Sequence, residues 1–184
     1  MKERKDIMSN FSVVKGNIVN MKVDAIVNAA NTSLLGGDGV DGAIHRAAGA
    51  ELISYCRKIG GCKTGDAVIT PGFKLDAKYI IHTVGPLWNN GLTNEEEMLR
   101  QCYKKSLDLA VEYNCRTVAF PSISTGAYRF PLPKAAEIAI NTILEYLEQD
   151  TCIEEVYMVC FDFNTKAAYD KVMRALGREV EEEY

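Results

Sequence analysis

Long apolar runs are missing: nothing in the 184 residues approaches the roughly 20 needed to span a bilayer. The opening stretch MKERKDIMSN lacks the apolar core of a secretory signal, so a cytoplasmic protein is expected. Histidine is nearly absent, with His45 and His82 the only two, and none of the six cysteines forms a C-x-x-C pair. A structural zinc site is therefore not expected, and no cofactor is called for. The cysteines read instead as small buried hydrophobes in a reducing compartment. Basic charge is in deficit, with a net charge of −4 and a pI near 5.3. That disfavours a non-specific nucleic-acid binder, yet it leaves room for a small anionic ligand at a local site. Neither G-x-G-x-x-G nor the P-loop pattern occurs, which argues against the nucleotide-binding folds they mark. No repeat and no linker interrupts the chain.

What remains is a chain long enough for one ordinary domain, with 47% hydrophobic and 25% charged residues. Six short β-branched runs read as strands, at 11–15, 24–28, 66–70, 79–84, 117–120 and 155–160. Most lack polar alternation, which suggests strands covered on both faces. Between them lie helical patterns: one or two helices over 40–58, broken near Gly49, then 95–113, 133–147 and 165–176. Thr165 is the expected N-cap of the last, and Gly177 its stop. Alternating strands and helices predict a three-layer α/β/α sandwich, with a core over 11–177 and a charged tail, 178–184, expected to fray.

Two segments stand out. Residues 28–45, NAANTSLLGGDGVDGAIH, leave a buried strand, pass through Gly36, Gly37 and Gly39, and enter a helix. Glycines let backbone N–H groups approach an anion, and a helix N-terminus adds partial positive charge. Residues 120–131, FPSISTGAYRFP, likewise leave a strand and precede a helix. Ligands of open α/β sheets bind beyond the carboxyl ends of the strands, so two such loops would face each other there.

The strings VDAIVNAANTSLLGGDGVDGAIHRAAG, IIHTVGP and AFPSISTGAYRFP occur in that order and resemble a macrodomain of the MacroD type, over about Val13 to Met173. The resemblance implies a mixed six-stranded sheet between helices and a cleft for ADP-ribose. It further implies removal of ADP-ribose from acidic side chains and deacetylation of O-acetyl-ADP-ribose. ADP-ribose and its protein or acetyl esters are then the partners, with no nucleic acid and no membrane.

Asp41 opens a helix and could be a simple first-turn acid; it matches the family's catalytic aspartate, which polarises a water at the ribosyl ester. Asn31 matches the asparagine that grips the distal ribose, where an amide offers donor and acceptor to a diol; an Asx-turn is its alternative. Asn28 reads as a brace for the loop. His45 lies one helical turn after Asp41, placed to orient it or a water, or else to be structural; His82, within an apolar strand, reads as structural. By resemblance Gly37, Asp38, Gly39 and Val40 line the phosphates. Ser122, Ser124, Thr125, Gly126 and Ala127 wrap the pyrophosphate through backbone amides, and Tyr128 closes over the ribose. Phe161 matches the aromatic that packs on adenine; its alternative is plain core.

Three positions depart from the family pattern. Gly16-Asn17-Ile18 stands where Gly-Asp-Ile is usual, so Asn17 would accept from the adenine amino group without charge assistance, beside Ile18. Asp38 and Arg129 each replace a glycine and would offset each other if they met across the cleft. Three other readings stand beside hydrolysis: a module that binds without turnover, a phosphatase acting on ADP-ribose 1″-phosphate in the same cleft, and a nucleic-acid-binding domain, which the acidic charge disfavours. Retention of Asn31, Asp41 and Tyr128 favours hydrolysis of ADP-ribosyl esters without a metal.

Overall fold

The computed structural model describes residues 9–180. The first eight residues of the opening stretch and the tail residues 181–184 lie outside the described residues. Six strands form one sheet: β1 (Asn10–Lys15), β2 (Ala25–Ala30), β3 (Ala67–Pro71), β4 (Tyr79–Val84), β5 (Thr117–Phe120) and β6 (Glu155–Cys160). Their order is β1-β6-β5-β2-β4-β3. All neighbours run parallel except β3, which pairs antiparallel with β4. The expected three-layer sandwich with a mixed sheet is what the chain forms.

Strand parity divides the core. Ala25, Val27, Ile81, Val118, Phe120, Val156 and Met158 turn to one face, against α3 (Glu95–Glu112), α4 (Leu132–Leu147) and α5 (Phe163–Ala175). Ile26, Ala30, Ile80, Val84, Ala119 and Val159 turn to the other, against α1 (Gly39–Ala48) and α2 (Ala50–Ile59). The break near Gly49 is real: at φ +91° it caps α1 and starts α2. The last helix begins earlier than its pattern indicated. Asp162 is its N-cap, accepting the Thr165 N–H at 2.8 Å, so Thr165 sits inside the first turn. Aspartate is the better N-cap of the two, which explains the shift. Gly177, at φ +70°, follows its end as expected. Residues 178–180 are tied down rather than frayed: Arg178 N–H bonds the Met173 carbonyl at 3.0 Å, and Val180 packs against the core.

This topology assembles the site. The chain steps from β2 outward to β3 and β4, then returns to β5 on the other side of β2. The β2–β5 pair is thus the switch point where loops diverge and leave a crevice. Because β1, β6, β5, β2 and β4 run parallel, the segments after all five leave the same edge of the sheet.

Candidate functional site

The β2–α1 loop holds the carboxylate. Asp41 lies in the first turn of α1 and is 5% exposed. Its Oδ1 accepts from Asn28 Nδ2 at 2.8 Å, and His45 Nε2 stands 3.5 Å from the same oxygen. A Cβ placed on Gly37 would meet Asp41 Oδ2 at 3.1 Å and Asn31 Nδ2 at 3.4 Å, so carboxylate, amide and glycine converge on one spot. Burial raises the carboxyl of Asp41 above the ordinary range, opposed by the Asn28 hydrogen bond and the nearby His45.

Asn28 is itself held. It lies fully buried in β2 opposite His82 of β4, and its other Nδ2 hydrogen reaches His82 Nδ1 at 3.1 Å. His82 Nε2 stands 3.0 Å from Thr70 Oγ1, whose own hydroxyl donates to the Pro71 carbonyl. With Asn28 donating to Nδ1, the ring's hydrogen sits on Nε2 and Thr70 accepts it. Burial drops the His82 pKa to about 3, which keeps the ring neutral and that polarity fixed. The brace expected of Asn28 is therefore a brace on Asp41. His82, read only as structural, is the group that fixes it. Both lie on even positions of adjacent strands, facing α1; the parity was legible, but the pairing of β2 with β4 was not.

Asn31 bridges its own loop. Its Nδ2 donates to the Gly36 carbonyl at 2.9 Å, and its Oδ1 accepts from Ser33 N–H and Oγ. The Asx-turn is present, and it leaves one amide hydrogen beside Asp41. Glycine is required at Gly36 and Gly39, with φ of +94° and +60°. Asp38 is exposed, extended at φ −93°, and makes no side-chain cap, so the first amides of α1 stay unclaimed by it. Its backbone needs no glycine.

The β5–α4 loop faces this one. Ser124 is buried at φ +66°, with its Oγ unpartnered among the described residues. Gly126 and Ala127 are exposed and Tyr128 half-buried. Arg129 is exposed at φ +58°, a left-handed position that glycine fills at lower cost. No ion pair joins Asp38 and Arg129 among the described residues, so the two do not offset each other by direct contact. Gly85, at the end of the IIHTVGP string, explains that string's presence: a Cβ there would come within 2.1 Å of Ser124 Oγ. The β4–α3 segment joins in through Trp88, whose N–H donates to the Tyr128 carbonyl at 2.9 Å.

At the far end of the edge, Phe161 follows β6 and is 76% exposed, so it is not core. Asn17 is exposed, and its Oδ1 accepts the Val19 N–H at 3.2 Å. The Ile18 side chain is buried with Ile26 and Val159, which leaves its backbone for any role at the edge. Burial pushes the Cys56, Cys102 and Cys115 thiols up to about 11 and Cys160 to about 12. These thiols are core groups, not nucleophiles. Among the described residues, no group of three His, Cys, Asp or Glu could hold a metal ion, and no helix is long and apolar enough to cross a membrane.

The sequence model of the Macro domain family matches residues 27–139. The chain is 55% identical over 162 residues to the Macro domain-containing protein CT2219 of Chlorobaculum tepidum, covering 88% of this chain and 94% of that protein. It is 50% identical to the O-acetyl-ADP-ribose deacetylase of Citrobacter koseri, covering 93% and 99% of the two chains. A mutant of the Oceanobacillus iheyensis macrodomain, solved with ADPR, superposes with a TM-score of 0.88 at 40% identity, over 96% of this chain and 97% of that one. Sequence and backbone agree across nearly the whole length, and the chain belongs to the macrodomain family.

Proposed function

We propose that this chain binds ADP-ribose between the β2–α1 and β5–α4 loops and hydrolyses esters at the distal ribose. Its substrates are O-acetyl-ADP-ribose and ADP-ribosylated acidic side chains. The observation that carries this reading is Asp41: a buried carboxylate held by Asn28, with its second oxygen beside Gly37 in a glycine-lined crevice. A relative named O-acetyl-ADP-ribose deacetylase and a neighbour solved with ADPR support the substrate class.

The backbone of Gly37, Asp38, Gly39 and Val40, at the N-terminus of α1, faces one side of the pyrophosphate. Ser122 and Ser124 to Tyr128 face the other. Adenine lies against Phe161, near Asn17 and the Ile18 backbone. The remaining amide hydrogen of Asn31 holds the distal ribose, and Tyr128 closes over it. Burial makes Asp41 a stronger base than an exposed aspartate. With a ligand phosphate it positions a water and takes its proton as the water attacks the ester, while His45 steadies the carboxylate. The reaction requires no metal in this scheme. Asp41→Asn keeps an oxygen for Asn28 to bond, so it preserves the fold. Turnover of O-acetyl-ADP-ribose is expected to fall about 10²–10⁴-fold while ADP-ribose still binds. Wild-type rates in a pure sample would remove Asp41 from the chemistry.

A further inference from the structure

Beneath the β5–α4 loop runs a chain of hydroxyls that the scheme above does not use. Tyr103 of α3 and Tyr169 of α5 are both fully buried. The Tyr103 oxygen accepts the Ile123 N–H at 3.1 Å, and the neighbouring Tyr169 phenol acts on it electrostatically. With its oxygen receiving the amide, Tyr103 turns its own hydrogen toward Tyr169. The Tyr169 hydroxyl in turn stands 2.9 Å from Ser122 Oγ. A fully buried O–H is costly to leave unpaired, so Tyr169 donates to Ser122. Thr125 Oγ1 lies 2.8 Å from Ser122 Oγ and 3.4 Å from the Ser122 carbonyl. One short bond joins the Ser122 and Thr125 hydroxyls. Thr125 donates it, so Ser122 Oγ receives from both Tyr169 and Thr125, and the Ser122 hydrogen is left with no protein acceptor among the described residues.

We propose that the Tyr103–Tyr169 relay fixes the Ser122–Thr125 pair as a hydrogen-bond donor toward the cleft, a subsite for an anionic oxygen. Tyr103 and Tyr169 are then positioning residues, and the inference rests on the cleft being a pyrophosphate site. Without the relay, Ser122 could turn its hydrogen inward and present lone pairs to a phosphate.

The test titrates ADP, adenosine and inorganic pyrophosphate, with ADP-ribose as the reference ligand, into the wild type, Tyr169→Phe, Ser122→Ala and the double variant. Calorimetry reads the nucleotides, and amide shifts of residues 122–126 read pyrophosphate. Tyr169→Phe is expected to weaken ADP about threefold to tenfold, the range of one hydrogen bond, and to leave adenosine unchanged. The double variant should bind ADP no more weakly than Ser122→Ala alone, since one group acts through the other. Wild-type affinity in Tyr169→Phe, fully additive losses, or equal weakening of adenosine would overturn the relay. Tyr103→Phe breaks the same chain one residue deeper and repeats the test if Tyr169→Phe does not fold. Relay-dependent pyrophosphate shifts in a protein that ignores ADP and ADP-ribose would sink the nucleotide reading and leave the donor subsite standing. Silence toward all three probes and ADP-ribose would end both.

Discussion

Asp38 is the residue at which a single charge most directly opposes the proposed ligand. It is exposed, its φ of −93° is ordinary for any residue, and it makes no ion pair with Arg129 among the described residues. Backbone strain is thereby removed as a cost, and repulsion of the pyrophosphate is left. At ~6 Å, one like-charge pair is worth about 0.7 kcal/mol in water and about 3 kcal/mol at an effective dielectric of 20. The exposure of Asp38 puts it near the lower figure. Asp38→Gly is therefore expected to tighten ADP-ribose binding about threefold at low ionic strength. The gain should shrink once salt brings the screening length to about 8 Å. Equal gains at both ionic strengths, or none, would show that Asp38 does not act on the ligand through its charge.

Loops set the geometry at the next scale, and glycines decide how closely they pack. Gly85 follows β4 against the β5–α4 loop, where a Cβ would meet Ser124 Oγ at 2.1 Å and Ile123 Cγ2 at 2.6 Å. Both neighbours are buried, so neither yields easily. Gly85→Ala is expected to cost about 1–3 kcal/mol in denaturant unfolding and to weaken ADP-ribose, because the displaced loop carries the pyrophosphate amides. Gly126 is the control: a Cβ there has nothing within 4 Å and its φ is not positive, so Gly126→Ala should stay within about 0.5 kcal/mol of wild type. If the two variants unfold alike, the close approach at Gly85 is not what holds the loop. The β4–α3 segment is held by a different device. Glu95, buried at the start of α3, accepts the Asn89, Gly91 and Thr93 N–H groups and the Thr93 hydroxyl. The Thr93 hydroxyl and those amides hold its carboxyl below the usual range.

Across the whole molecule, the brace behind Asp41 couples stability to pH. His82 is neutral and buried, with a pKa of about 3 against 6.5 when free. The unfolded chain thus binds a proton that the folded chain refuses. Stability from this group is intact above pH 6.5 and is lost as pH falls toward 3, with a slope approaching about 1.4 kcal/mol per unit. Asp41, whose pKa is raised, has the opposite sign: its folded form takes up a proton first and gains stability as pH falls. Comparing the wild type with His82→Gln isolates the histidine. Gln retains a donor and an acceptor for Thr70 and Asn28. Between pH 7 and 5 the wild type should lose about 2 kcal/mol relative to the variant. A pH-independent difference would mean that His82 titrates normally in the fold.

The sequence alone determined the elements and the order of the motifs, because periodicity, turn residues and glycine content are local properties. All six strands, the break at Gly49 and both glycine loops were legible. Helix boundaries were less so, since Asp162 and Thr165 compete for one cap and only backbone geometry chooses between them. The support for the site was decided by tertiary structure. Asn28 meets His82 only because β4 pairs with β2 in one register. Tyr103, four residues from both Leu99 and Leu107 on α3, reads as core stripe. It reaches Ile123 only once α3 packs beneath the β5–α4 loop. Asp38 and Arg129, opposite in charge and tempting as a pair, form no ion pair among the described residues. Charge can be counted along a chain, but distance is set only when the sheet brings its edges together.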